Sequence, residues 1–170
     1  MIIRTTGLMV AVITLLIVVG CNNEEQVTKP AMDGTPYLLS SQPTGVLQVK
    51  QFLEQAKDGD QVAVVGRIGG ERDPWVPGLA IFTIVDNSLT PCNEIPEDQC
   101  KTPWDYCCAT DIATSRIAVE IVDKNEEIVL ESANRLLKVK ELQRVVVQGT
   151  TRRDDDGKVS LIATGIFVEP

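Results

Sequence analysis

Five short runs rich in β-branched residues, each closed by a turn signal, constrain this chain more than any other feature. They are Gln61–Gly70, Leu79–Asp86, Ser115–Asp123, Arg144–Thr151 and Lys158–Val168. Runs of this length and composition read as strands. In the third, Ile117, Val119 and Ile121 alternate with the charged Glu120, the pattern of a strand buried on one face. Leu79–Asp86 is nearly continuous in apolar residues, which predicts burial on both faces. Gly66 lies inside the first run and Gly69-Gly70 ends it, predicting a bulge or sharp bend there. Asp154-Asp155-Asp156-Gly157 joins the last two runs and reads as a hairpin turn. It is not a calcium loop of the EF-hand type, which needs glycine sixth and glutamate twelfth. Here, counting from Asp154, glycine is fourth and the twelfth residue is Gly165.

Helical periodicity occurs twice. Val46–Lys57 places Val46, Val49, Leu53 and Ala56 on one stripe with Phe52 beside it, so an amphipathic helix is expected, with Thr44 as N-cap and Gly59 as its C′ residue. After a turn at Lys124-Asn125 and a short extended piece, a helix is expected around Ala133–Lys138, with Ser132 as cap. The order is therefore three strands, a helix, and two strands. The fold class is mostly β: a five-stranded OB-fold-like barrel with a short helix before the fourth strand, an N-terminal amphipathic helix, and a long cysteine-rich loop between the second and third strands. Closure leaves few exposed edges.

The N-terminus reads as an address. Arg4 precedes an apolar core, Leu8 to Val19, interrupted only by Thr14. Its length is that of a signal-peptide core and short for a membrane span. Val18-Val19-Gly20-Cys21 matches the bacterial lipobox, which implies cleavage after Gly20 and lipidation of Cys21. More than one acyl chain anchors a protein stably. In lipoproteins of this kind an aspartate after the cysteine marks inner-membrane retention, so Asn22 and Asn23 point to the outer membrane. The expected organisation is a signal peptide over 1–20, a lipidated flexible tether over 21–43, and an OB-fold-like domain over 44–170 with its insertion at 87–114. Within the proline-bearing tether, Tyr37-Leu38-Leu39 is the stretch suited to touch the domain.

Residues 46–170 resemble the OB-like domains of exported bacterial lipoproteins. The resemblance rests on GDQVAVVGRIGG, the following FTIVD, the PWDYCC cysteine box and the VVVQGT and ATGIFV segments near the C-terminus. It implies fold and export, and no activity.

Chemistry concentrates in Asn87–Thr114. Cys92, Cys100, Cys107 and Cys108 are spaced C-x7-C-x6-C-C, with Pro91, Pro96 and Pro103 between and around them. Trp104, Tyr106 and the acids Glu94, Glu97, Asp98 and Asp105 accompany the thiols. An insertion of this length is functional or needs staples. In an oxidising compartment two disulfides are expected. Adjacent residues lie below the usual disulfide span, so Cys92 and Cys100 would each pair with one of Cys107 and Cys108. The alternatives are a thiolate-bound metal at the same four cysteines, since soft ligands select soft metals, or a thiol redox switch. Against the metal stand the missing CxxC pair and the awkwardness of adjacent cysteines in a tetrahedral site.

The chain has no histidine, which removes His-based acid–base chemistry and the Ser-His-Asp and Cys-His sites. There is no nucleophile elbow, no P-loop and no metal set with an open position, so catalysis is not expected. The net charge of -8 disfavours a phosphate-tracking surface. Trp75, Trp104, Tyr106, Arg67 and Arg72 form the candidate binding surface, although Glu71 and Asp73 beside these arginines argue against nucleic acid. The expected function is that of a membrane-anchored, exported, non-catalytic lipoprotein of the cell envelope. Its barrel would bind or scaffold an envelope protein or small ligand, without a cofactor beyond the lipid. The alternative is a thiolate metal-binding or redox protein.

Overall fold

The computed structural model describes residues 32–170. The signal peptide, Cys21 and the first part of the expected tether lie outside the described residues. Six strands form: β1 Val46–Gln48, β2 Gln61–Ile68, β3 Ile81–Val85, β4 Arg116–Ile121, β5 Arg144–Arg153 and β6 Val159–Val168. Two short helices accompany them, α1 Val49–Gln55 and α2 Ala133–Leu137.

β2 through β6 close into a barrel. β2 runs antiparallel to β3 through Arg67↔Val85 and Ile68↔Ile84, and to β5 from Gln61↔Thr150 to Arg67↔Arg144. β3 pairs antiparallel with β4, β4 pairs parallel with β6, and β6 pairs antiparallel with β5. The circuit β2-β3-β4-β6-β5-β2 has the OB order, with α2 between β4 and β5 as expected. The alternating residues point inward as their pattern requires. Val64, Ile68, Phe82, Ile84, Ile117, Val119, Val147 and Leu161 are all buried in one cluster, with Phe52 of α1 and Leu136 of α2 packed into it. Asp154–Gly157 makes the hairpin turn, Asp154 Oδ1 accepting the Lys158 N–H at 2.7 Å.

Several local expectations are corrected. The helix expected over Val46–Lys57 is only Val49–Gln55, because β3 meets β2 solely at residues 67 and 68. That leaves the edge of β2 free at 63–65, and Val46–Gln48 fills it as a parallel strand. Gln48 therefore caps α1 in place of Thr44, exchanging hydrogen bonds with Gln51 in a capping box. Gly59 lies past the end of the helix, which closes at Ala56. Ser132 has N-cap geometry, but its hydroxyl accepts the Gly78 N–H at 2.8 Å instead of capping α2. Of the glycines expected to bend the first run, Gly69 and Gly70 turn the chain just past β2 with φ 153 and 93, while β2 is continuous through Gly66; a separate register irregularity falls between Gln148 and Gly149 of β5.

The expected contact at Tyr37-Leu38-Leu39 forms. Leu38 bridges to Ile166, the Leu39 N–H donates to the Ile166 carbonyl at 2.9 Å, and Tyr37 packs against the core.

Asp86, at the end of β3, ties the insertion to α1. Its side chain is 3% exposed. It accepts the Lys50 N–H at 2.8 Å and the Ser88 N–H at 2.9 Å. Burial pushes its pKa up, but these donors and the Lys50 charge outweigh burial and hold the carboxyl below its ordinary value. A depressed carboxyl gives stability that is fully present above the unfolded pKa and is lost as pH falls through the folded one. Asp86→Asn is expected to cost about 1–2 kcal/mol at pH 7, with the gap to the parent narrowing below about pH 4. Urea denaturation at pH 7 and pH 3 checks this, and a gap of constant size would refute the charge argument.

Candidate metal centre

The insertion is built from two copies of one local device. In Asp98-Gln99-Cys100, Asp98 Oδ1 accepts the Cys100 N–H at 2.8 Å; in Asp105-Tyr106-Cys107, Asp105 Oδ1 accepts the Cys107 N–H at 3.0 Å. Each aspartate thereby fixes the backbone of the cysteine two residues on. Asp105 Oδ2 also accepts the Thr102 hydroxyl at 2.8 Å, locking the turn Pro103–Asp105.

Tyr106 has φ 55, a left-handed conformation that sends its ring inward and turns the next residue outward. The ring is 1% exposed and packs with Val85 and Leu89. Burial pushes the Tyr106 hydroxyl up to about 12, with the Arg67 charge opposing that rise. The box is pinned to the end of β2 at Gly69-Gly70. The Gly70 N–H donates to the Trp104 carbonyl at 2.7 Å, and a Cβ on Gly69 would stand 2.5 Å from that carbonyl oxygen. The Trp104 indole donates to the Arg72 carbonyl at 3.1 Å. Asp111, at the far side of the insertion, pairs with Lys50 at 2.7 Å.

This scaffold brings the four thiols together. Cys107 Sγ lies 3.6 Å from Cys92 Sγ, 4.0 Å from Cys100 Sγ and 3.9 Å from Cys108 Sγ. Cys108 Sγ lies 3.6 Å from Asp98 Oδ2. Cys92 is fully buried, Cys100 half-buried, and Cys107 and Cys108 are exposed. All four are free thiols, so the expected pairing of Cys92 and Cys100 with Cys107 and Cys108 is not formed. A disulfide holds its sulfurs at about 2.05 Å and gives each sulfur one partner. Cys107 instead has three sulfur neighbours at nearly equal range.

That arrangement suits a shared cation. Metal–sulfur bonds of about 2.3 Å in a tetrahedron put the sulfurs about 3.8 Å apart, and Cys107 lies 3.6 and 4.0 Å from the Cys92 and Cys100 sulfurs that share a donor set with it. The adjacent Cys107 and Cys108 share no donor set, in keeping with the awkwardness of neighbouring cysteines in one tetrahedron. Two donor sets arise in which every ligand atom lies within 4.8 Å of every other: Cys92, Cys100, Cys107 and Asp105; and Cys92, Cys108 and Asp98. The Cys107 thiol is pushed well up, first by its contact with Cys92, then by Cys108 and by burial. Cys108 is raised as well: its contact with Cys107 lowers it, but Cys92 and Asp98 outweigh that. A metal binding here displaces protons from thiols held in close quarters.

The candidate aromatic surface does not assemble. Trp75 is buried in the barrel core against Phe82, ring centroids 6.0 Å apart, and its indole donates to Glu141 Oε1 at 2.6 Å. Tyr106 is buried in a separate cluster under the insertion, and only Trp104 is partly exposed. Arg67 is paired with Glu94 at 2.8 Å. A groove of about 480 Å³ crosses the outer barrel face between Thr83, Arg116 and Lys158. Its arginines are engaged within the fold: Arg116 by the Gly70 carbonyl and Glu71, Arg153 by the Ala56 and Gly157 carbonyls. Among the described residues no helix is long and apolar enough to cross a membrane. Asp98 and Asp105 are the members of the donor sets to which sequence reasoning gave no role. The repeated Asp-x-Cys was the signal that gave them away.

Compared with known proteins, the chain matches no family model and no curated sequence.

Proposed function

We propose that this chain is an exported, lipid-anchored, non-catalytic protein whose OB-like barrel carries a thiolate centre for a soft or borderline metal ion. One observation carries the metal reading: Cys92, Cys100, Cys107 and Asp105 bring four ligand atoms within 4.8 Å of one another, with the Cys107 sulfur 3.6 and 4.0 Å from those of Cys92 and Cys100. The barrel is the scaffold of that centre, because the end of β2 and the buried ring of Tyr106 hold the cysteine box in place. Export and anchoring are supported by the lipobox at Val18–Cys21, and Asn22-Asn23 favours the outer membrane. The same features support the kinship with exported bacterial lipoproteins of OB type.

The test is an intact mass of the full chain, expressed in a bacterial host and purified from membranes in detergent without chelator or reductant. A retained metal, four thiols recovered after acid release and acyl chains on Cys21 are the expected result. A metal-free chain oxidised to two disulfides overturns the centre, and an unacylated Cys21 overturns the anchor.

A further inference from the structure

The two donor sets differ in completeness, while each runs from the buried Cys92 out to an exposed cysteine. Cys92, Cys100, Cys107 and Asp105 supply four ligand atoms, the full complement of a closed tetrahedral site. Cys92, Cys108 and Asp98 supply three and leave a fourth position open. The sets meet at Cys92, whose fully buried sulfur belongs to both. Together they hold six anionic donors, of which one tetrahedral ion can use four. Neither Asp98 nor Asp105 is ion-paired among the described residues. Each carboxylate has one oxygen on a cysteine N–H, Asp98 using Oδ1 for Cys100 while its Oδ2 faces Cys108. Asp98 thus braces a thiol of the inner set with one oxygen and belongs to the outer set with the other.

We propose that the insertion has two adjoining cation positions that share the Cys92 thiolate: a closed inner one at Cys92, Cys100, Cys107 and Asp105, and an open outer one at Cys92, Cys108 and Asp98. This rests on the thiolate-centre reading above. The mixed sulfur and carboxylate donors select a borderline divalent cation of the zinc type over Cu(I), which favours sulfur alone. The inner position retains its ion. The outer one, one ligand short, exchanges with solution.

The test is Zn²⁺ stoichiometry and release on the reduced full chain in detergent, by titration and chelator competition with native mass spectrometry. Two ions per chain are expected, released in two steps whose affinities differ by at least about tenfold. In Cys108→Ser, which alters one exposed side chain outside the four-ligand set, the weaker step disappears and the tight step stays within about threefold. One ion on the parent chain overturns the two-position inference and leaves the thiolate centre standing. No ion overturns both. A Cys108→Ser variant that still takes up two ions overturns the assignment of the outer position.

Discussion

Cys107→Ser is expected to lower Zn²⁺ affinity of the full chain by about 100-fold or more, the largest loss of any single cysteine on the exposed side of the centre. Its sulfur is the one that all three others approach, at 3.6, 3.9 and 4.0 Å. Removing it takes one ligand out of the four-ligand set, with its close contacts to the Cys92 and Cys100 sulfurs. Cys108→Ser, by contrast, removes a thiol that lies outside the four-ligand set, and is expected to leave the tight step within about threefold. Both residues are exposed, so neither change empties a core position. Chelator competition on the two variants decides the matter. If Cys107→Ser holds zinc as tightly as the parent, the hub has no role in binding and the centre must be drawn elsewhere.

The second large effect is on stability. Gly149→Ala is expected to destabilise the barrel by about 2–3 kcal/mol and to lower Tm by roughly 5–10 °C. A Cβ at this position would stand 2.1 Å from the Ile162 carbonyl oxygen and 3.1 Å from the Ala163 Cα. These are backbone atoms in the partner strand, so no side-chain rotation relieves the contact. The register between β5 and β6 shifts at this point, from Gln148↔Gly165 to Gly149↔Ala163. A methyl group there must force the strands apart or move the irregularity. The gain in backbone entropy from replacing glycine, about 0.5–1 kcal/mol, is too small to offset that. A thermal midpoint within about 2 °C of the parent would show that the strands yield without cost.

The barrel was legible because its signals are local. β-branched runs, the Asp154–Gly157 turn and the Ser132–Leu137 segment each state their own conformation, and their order leaves few topologies. What escaped depends on partners distant in sequence. Val46–Gln48 has helical spacing, yet it pairs as a strand because β3 abandons the edge of β2 at residues 63–65. The irregularity sits at Gly149 and not at Gly66 because of the register between β5 and β6, which the sequence near either glycine does not record. Trp75 looks like an exposed loop aromatic between Pro74 and Pro77, but Phe82 and Glu141 draw it into the core. In the insertion, spacing located the four thiols correctly. It did not reveal their convergence, which turns on the left-handed Tyr106 and on a ring buried under Gly69.

The docking of Leu38 and Leu39 along β6 also shortens the leash. The chain is in contact with the barrel from Gly34 onward, where a Cβ would already collide with the Leu136 carbonyl oxygen. With Cys21 acylated as proposed, only residues 22–33 separate the lipid from the folded body. Even fully drawn out they reach roughly 40 Å. On that proposal the barrel and its cysteines would be held in a thin layer above the bilayer, and any exchange of metal at the insertion would take place within that layer.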